Sequence, residues 1–267
     1  MKTGQRVRII GPGRAGRSLA AALVGAGWFV YEFLDRTSSL YDAAVGADVV
    51  VIATPDDAIQ EVSEAIAPHC DSVVMHLSGS LGMDVLYPHK RRATLHPLTT
   101  LANPTIGADR LCSGITMAIS GDPVARDIAE SLGARVIEID DQDRAAYHAA
   151  ACIASNHVVA LLGQVERICE SIGIDWRIFI ELTRAAVDDA LLLGPGLALT
   201  GPASRGDFLT LERHRAALAV GEREAYDALA RLASGQGVES RKSFKSGELV
   251  GLSGLYEHSD ELEATLS

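Results

Sequence analysis

Tyr147-His148 and Asn156-His157 stand on a stretch otherwise rich in alanine. Polar groups on an apolar helix cost burial energy unless paired, which points them toward a cleft. An imidazole gives or takes a proton near neutral pH, so His148 is the first choice for a proton donor, with Asn156 orienting the substrate. Eight residues on a regular helix make two turns plus about 80° of rotation, so both side chains can border one cleft. The alternative is a core or helix-interface histidine with its hydrogen bonds satisfied. His76, in His76-Leu77-Ser78-Gly79-Ser80, and His96, in Leu95-His96-Pro97-Leu98-Thr99, each follow an apolar run. Each is read either as a substrate contact or as a hydrogen-bonding strut. The densest polar loop is Leu199–Asp207, where Arg205 offers a planar fork for a substrate carboxylate and Asp207 can cap the next helix.

A second group of residues suits a phosphate-bearing cofactor. Val7, Ile9 and Ile10 form a short apolar run ahead of Gly11-Pro12-Gly13-Arg14-Ala15-Gly16, a G-x-G-x-x-G spacing, and a helix follows over Ser18–Val24. Gly11 permits the tight bend, Gly13 lets the backbone approach a pyrophosphate, and Gly16 lets helix and strand pack closely. The helix N-terminus supplies free N–H groups and a positive dipole end. About 20 residues on, the second strand ends at Asp35-Arg36. An acidic residue there binds the ribose 2′-hydroxyl of NAD, whereas a neighbouring arginine favours the 2′-phosphate of NADP. Arg36 with Thr37, Ser38 and Ser39 tips the expectation toward NADP(H) over NAD(H). Thr54 and Pro55, after the third strand, and Ser78, after the fourth, are expected at the same cofactor edge, with Asp56 as a possible helix cap.

The elements that must position these groups alternate in the first half. Strands are expected at about Phe29–Leu34, Asp48–Ala53, Ser72–Leu77, Ala93–Leu95, Ile115–Ile119 and Arg135–Glu138. Helices are expected at about Leu40–Val45, Asp57–Ala67 and Val124–Leu132. This alternation predicts a doubly wound parallel sheet, and Val/Ile-rich strands fit burial on both faces. After Asp140 the strand-like runs cease. Long helices are expected over Asp143–Ser171 and over Asp175–Leu193, with Asp175 as a cap. Gly194-Pro195-Gly196 ends the second. Two more helices follow at Asp207–Val220 and Arg223–Leu232, and the polar tail beyond Ser234 is expected to be loosely held. The fold class is therefore α/β: a nucleotide-binding domain over 1–141 and an all-helical substrate and dimerisation domain over 142–267.

A chain of 267 residues, 48% of them hydrophobic, can bury a sizeable core. Its formal net charge of −11 argues against a nucleic-acid partner, which needs a basic face. Lys90-Arg91-Arg92 is too short to reverse that. No apolar run is expected to reach the length needed to span a bilayer, the longest being broken by Gly and charge, and the first strand begins too early for a signal peptide, so a cytoplasmic, soluble protein is expected. Cys70, Cys112, Cys152 and Cys169 have neither zinc nor disulfide spacing and are expected to be buried free thiols, with no metal site. Four Ala/Leu-rich helices carry more apolar surface than one sheet edge can cover, which predicts a homodimer through the helical half.

The opening turn, Ala53-Thr54-Pro55-Asp56, His76-x-Ser78-Gly79, Leu95-His96-Pro97-Leu98, Tyr147-His148-Ala149-Ala150 with Ser155-Asn156, and Leu199-Thr200-Gly201-Pro202-x-x-Arg205-Gly206-Asp207 occur together in this order. In this the chain resembles a family of Rossmann-like predicted oxidoreductases whose C-terminal half is a domain of unknown function. It is more distantly similar to ketopantoate reductase, pyrroline-5-carboxylate reductase and the β-hydroxyacid dehydrogenases, including 6-phosphogluconate dehydrogenase. The resemblance implies an NAD(P)-binding Rossmann domain followed by a helical domain of the 6-phosphogluconate dehydrogenase type, which commonly dimerises. It implies an NAD(P)H-dependent reduction of a ketone or imine of a small carboxylate, with a ketopantoate-like substrate as the specific expectation. Ketopantoate reductase and the β-hydroxyacid dehydrogenases carry a catalytic lysine on the first long helix. This chain has none there, and His148, Asn156, Arg205 and His96 are the residues expected to act. The missing lysine also motivates an alternative, a redox-silent NADP(H)-binding regulator.

Overall fold

The computed structural model of the protein describes residues 5–246. It divides into two compact units after Val159.

The first unit is built on a seven-stranded sheet: β1 Arg6–Ile10, β2 Phe29–Val30, β3 Val49–Ile52, β4 Val73–His76, β5 Arg92–Pro97, β6 Thr116–Gly121 and β7 Arg135–Glu138, in the order β2-β1-β3-β4-β5-β6-β7. All neighbouring pairs are parallel except β5–β6. The fully parallel sheet expected from the alternation is thus corrected at one ladder. Alternate residues divide the core. Val49, Val51, Val73, Met75, Ala93 and Leu95 pack on one face with Leu19, Leu23, Leu111 and Ile128. Val50, Ile52 and Val74 pack on the other with Ile59, Ile66 and Leu86. That period of two is the pleat of the strand made visible.

The helices of this unit are α1 Arg14–Gly25, α2 Ile59–Glu64, α3 Pro104–Leu111, α4 Val124–Ser131 and α5 Arg144–Cys152. Helix α3 was not expected. Asn103 caps it through a bond from the Ile106 N–H, and Pro104 occupies its first turn. It lies against α1 where Gly107 meets Ser18: a Cβ on Gly107 would fall within 3 Å of the Ser18 side chain. The helix expected at Leu40–Val45 is instead a series of turns, and β2 is only Phe29–Val30 plus a single bridge from Ile10 to Leu34. A six-residue apolar segment cannot by itself distinguish a helix from a packed turn.

The second unit carries α6 Val158–Ser171 (whose first residues belong to the first unit), α7 Ile180–Leu193, α8 Pro195–Ala198, α9 Pro202–Arg205, α10 Phe208–Ala217 and α11 Val220–Ser246. Asp175 and Asp207 cap as expected, accepting from the N–H groups of Arg177 and Thr210. Helix α11 runs past Ser234, where a loose tail was expected; residues 247–267 lie outside the described residues.

The long helix expected over Asp143–Ser171 is real but not regular. Between α5 and α6, residues Ile153–His157 form a π turn. Within the run Asp141–Ser171 an 18-residue window has a mean hydropathy of 1.3, so this helix is long and apolar enough, by length and composition, to cross a membrane. This corrects the expectation that no apolar run reaches that length. Alanine raises the mean while His148, Asn156, Gln164, Glu166 and Arg167 interrupt the run. The thiols also differ from expectation: Cys169 is buried, Cys152 half-buried, and Cys70 and Cys112 exposed, all unpaired.

Candidate functional site

The glycine turn has the expected mechanics. Gly11 sits at φ 105°, its N–H donates to Leu34 O at 2.8 Å, and a Cβ there would lie 2.7 Å from Ala53 O. A Cβ on Gly16 would press into Gly11 O, so helix and turn touch backbone to backbone. Gly13 differs: a Cβ there meets nothing within 4 Å, so its backbone faces open space. Gly13 is also the cap residue of α1, and no side chain caps that helix or places an acid in its first turn. The first-turn N–H groups, at Arg14, Ala15 and Gly16, have no intrahelical partner. Pro12 O is engaged by Arg17 Nε at 2.7 Å, which braces the turn from outside. Beside it, Thr54 Oγ1 is buried without a hydrogen-bond partner. A glycine turn open at its centre, an uncapped helix start and an orphaned hydroxyl together fit a pyrophosphate group.

At the end of the second strand region, Asp35 is occupied by its own turn. Its Oδ1 accepts from Thr37 N at 2.9 Å, Thr37 Oγ1 at 2.7 Å and Ser38 Oγ at 3.2 Å. These bonds, led by the Thr37 hydroxyl, hold its carboxyl below the usual range. Arg36 is exposed beside it.

Asp56 does not cap the helix after β3. Its Oδ2 instead accepts from Ser78 Oγ at 2.7 Å and Ser80 Oγ at 2.8 Å. Ser78 Oγ in turn accepts from the N–H groups of Ser80 and Leu81, both at 3.2 Å. Ser78 therefore shapes its own loop and ties it to the loop bearing Thr54 and Pro55. His76 is the strut of the two readings offered for it. It is fully buried at the end of β4, its Nε2–H donates to Gly82 O at 3.0 Å, and its Nδ1 accepts from Ser78 N at 3.2 Å. Burial lowers its pKa, in keeping with that neutral tautomer.

His96 and His148 do meet. Their rings lie edge to face with centroids 5.8 Å apart. Gly79 is wedged against both: a Cβ there would stand 2.7 Å from His148 Cδ2 and 2.8 Å from His96 Cε1. Tyr147 joins them, its hydroxyl 2.8 Å from His96 Nδ1 and its ring edge to face with His96 at 5.6 Å. Burial, helped by the charges of His148 and Arg144, pushes the His96 pKa down to about 4. Burial raises that of Tyr147, against the pull of Arg144. At neutral pH the pair is an uncharged imidazole bonded to an uncharged phenol. His148 Nε2 is 3.9 Å from Cys152 Sγ on the next turn.

Sequence reading missed Arg144. It is fully buried, with Nε on Asp141 Oδ1 at 3.1 Å and Nη2 on Thr94 Oγ1 and on Ser120 Oγ, the latter at 2.6 Å. Its Nη1 has no partner. A signal was present: His76, Thr94 and Ser120 occupy paired positions on neighbouring strands whose other buried residues are apolar. A polar row across a sheet face needs a polar cover, and Arg144 provides it.

Asn156 is exposed and lies in the π turn. A π turn takes up one extra residue, so the rotation between positions 148 and 156 becomes about −20° instead of about 80°. The irregularity thus brings the two positions nearly onto one helix face. Arg205 belongs to the second unit, where it donates to Thr200 O across its own loop; Ser204 beside it is buried and donates to Leu199 O and Gly201 O. His69, Cys70 and Asp71 bring possible ligand atoms within 4.8 Å of one another on an exposed segment.

Residues 111–233 match the family model of a domain of unknown function, DUF2520, as the motifs had led us to expect. No curated protein matches the chain. Among solved structures, it is similar to a proposed NADP oxidoreductase of Bacteroides fragilis, with 20% identity over 87% of this chain and 98% of that one and a TM-score of 0.74. Protein TM1727 of Thermotoga maritima is 24% identical over 88% and 99%, with a TM-score of 0.67. Plasmodium falciparum pyrroline carboxylate reductase, solved with NADP bound, is 15% identical over 87% and 98%, with a TM-score of 0.57. The fold is therefore that of Rossmann-type proteins with a helical C-terminal region.

Proposed function

We propose that the protein is an NAD(P)H-dependent reductase acting on a ketone or imine of a small carboxylate. One observation carries this reading. The open glycine turn with its orphaned Thr54 hydroxyl and the His96–Tyr147–His148 cluster belong to a single unit, joined by the Asp56–Ser78 bond. The solved relatives described as NADP oxidoreductase, pyrroline carboxylate reductase and reductive aminase support the same chemistry. A dihydronicotinamide, when bound, supplies hydride. The chain's own part is to hold the pyrophosphate at 11–16, position the ribose end at Asp35 and Arg36, and deliver a proton from the histidine–tyrosine cluster. Asn156 orients the substrate; Arg205, in the second unit, offers a planar fork suited to a carboxylate. NADP(H) is favoured over NAD(H) because Asp35 is spent on its own loop while Arg36 stands free for a 2′-phosphate. A ketopantoate-type acid remains the specific substrate choice.

The active form in this reading is a homodimer through the helical half. Leu182, Val187, Leu191, Leu192 and Leu193 of α7 are all exposed in the single chain. Apolar surface of that extent marks an interface. A monomer by light scattering at working concentration would defeat the dimer.

Titration with NADPH and NADH, followed by nicotinamide fluorescence, tests the cofactor. Selective binding justifies screening 2-oxo acids and cyclic imines by loss of absorbance. Folded protein that binds neither would overturn the reductase. The absence of lysine from 144–171 favours one competitor, a redox-silent NADP(H) sensor. It predicts tight binding with no turnover to lose in His148→Ala or Arg205→Ala.

A further inference from the structure

We propose that Tyr147 is the proton donor and that His96 is the group that reloads it, with Arg144 as the fixed charge that positions the pair. This rests on the reductase reading above and names the donor within its cluster.

Three geometric facts lead here. Among the described residues, the Tyr147 hydroxyl is bonded to a side chain of the sheet, His96 Nδ1, so an acid on α5 is coupled to a second exchangeable proton on β5. His148, one residue on, is placed differently. Its Cδ2 edge rests on Gly79 and its Nε2 looks along its own helix at Cys152, a weak partner. Arg144, one turn before Tyr147, is fully buried, carries an unpartnered Nη1, and is clamped by Thr94, Ser120 and Asp141. A cation that cannot swing away stabilises the phenolate that exists for the moment after proton loss. The same charge disfavours a proton on His96, as does His148, while the Asp56 carboxylate acts in the opposite sense. His76, also close to Arg144, is locked by Gly82 and Ser78 and takes no part.

The step balances as follows. The carbonyl carbon, or imine carbon, receives two electrons as hydride from the dihydronicotinamide, which is oxidised. The carbonyl oxygen or imine nitrogen takes the proton of Tyr147 Oη. His96, in the tautomer with a proton on Nδ1, passes that proton to the phenolate as its Nε2 takes one from water, so that the ring stays neutral and the hydroxide left behind is neutralised by solvent. A phenol held protonated at neutral pH is always loaded, and a neutral imidazole can both give and take.

The test uses the full chain and four variants: Tyr147→Phe, His96→Gln, Arg144→Lys and Arg144→Met. NADPH affinity serves as the check on folding and on the underlying reading. With 1-pyrroline-5-carboxylate and a 2-oxo acid as probes, Tyr147→Phe is expected to lower kcat about 100-fold or more with NADPH affinity unchanged. His96→Gln is expected to lower it less and to abolish the solvent deuterium effect on kcat. Arg144→Met should depress kcat more than KM, and Arg144→Lys should restore part of it. A readout that needs no turnover is the side-chain nitrogen resonances of His96: neutral down to about pH 5, and shifted at Nδ1 by Tyr147→Phe. Tyr147→Phe that keeps full turnover, or His96 resonances that ignore this substitution, overturns the relay while leaving the reductase standing. Loss of NADPH binding in the parent protein overturns both.

Discussion

The two units bury their apolar residues in opposite ways. In the first, β1, β3, β4 and β5 place Ile9, Val51, Met75 and Leu95 at zero exposure, and helices close both faces of the sheet. In the second, among the described residues, Cys169 and Ser204 alone are buried, although leucine and isoleucine are plentiful. Helix α7 buries none of its residues, and Leu191 is 81% exposed. The sheet satisfies its hydrophobic surface locally, within one chain. The helices leave theirs exposed in the single chain. Composition is similar in the two halves, so what separates them is geometry: a sheet has two broad faces that crossing helices can seal, whereas a helix offers a narrow stripe that needs another helix beside it.

The contrast can be broken most strongly in the first unit. Leu23→Ala, at a fully buried site on α1, is expected to cost about 2–5 kcal/mol, independent of protein concentration, as read by denaturant unfolding. Leu191→Asp on α7 should leave the first unit's unfolding transition in place and abolish the dimer in sedimentation or light scattering. An unchanged oligomer would show that α7 is not the interface. Concentration-independent melting of the second unit would say the same, because stability from association depends on protomer concentration.

The pH dependence of the first unit sharpens the comparison next. His96 has a folded pKa of about 4 against an ordinary value of 6.5. Between those values the unfolded state binds the extra proton. This site's contribution is therefore highest above pH 6.5 and falls as pH drops toward 4, by up to about 3 kcal/mol. Unfolding of His96→Gln should lose that part of the slope. If the variant retains the parent's full pH dependence, burial of a neutral His96 is not its source.

Cofactor should act on the first unit through 11–16. NADPH at a hundredfold excess over its Kd is expected to stabilise that unit by about 2.7 kcal/mol. Arg36→Ala should weaken NADPH about tenfold, the size of one charged hydrogen bond, and leave NADH within twofold. Equal weakening of both would mean that Arg36 does not read the 2′-phosphate. The smallest effect is expected from Leu191→Ala, within about 0.5 kcal/mol in protein diluted to monomer.

Much of this was legible in the residues. The glycine spacing with its preceding apolar run gave the turn, and Asp175 and Asp207 were readable as caps, because these are local devices with few solutions. Strand β7 is legible to the residue. Helix α3 was hidden because its apolar residues are few, although Asn103-Pro104 is a local start signal. The antiparallel β5–β6 ladder was equally hidden, since strand direction is set by the path of the connection and not by the strand's own residues.

The sequence alone therefore determined the glycine turn, the alternation that makes a sheet, and the polar residue types that stand beside them. Only the tertiary structure decided which of them meet. It turned Asp35 inward on Thr37 and Ser38, spent Ser78 on Asp56, made His76 a strut, and joined His96 to Tyr147 under a buried Arg144. Those pairings link residues from about 20 to 50 positions apart, or compete for one polar atom among several neighbours. Hydrogen-bond partners are chosen by distance in space, which the order of residues along a chain does not specify.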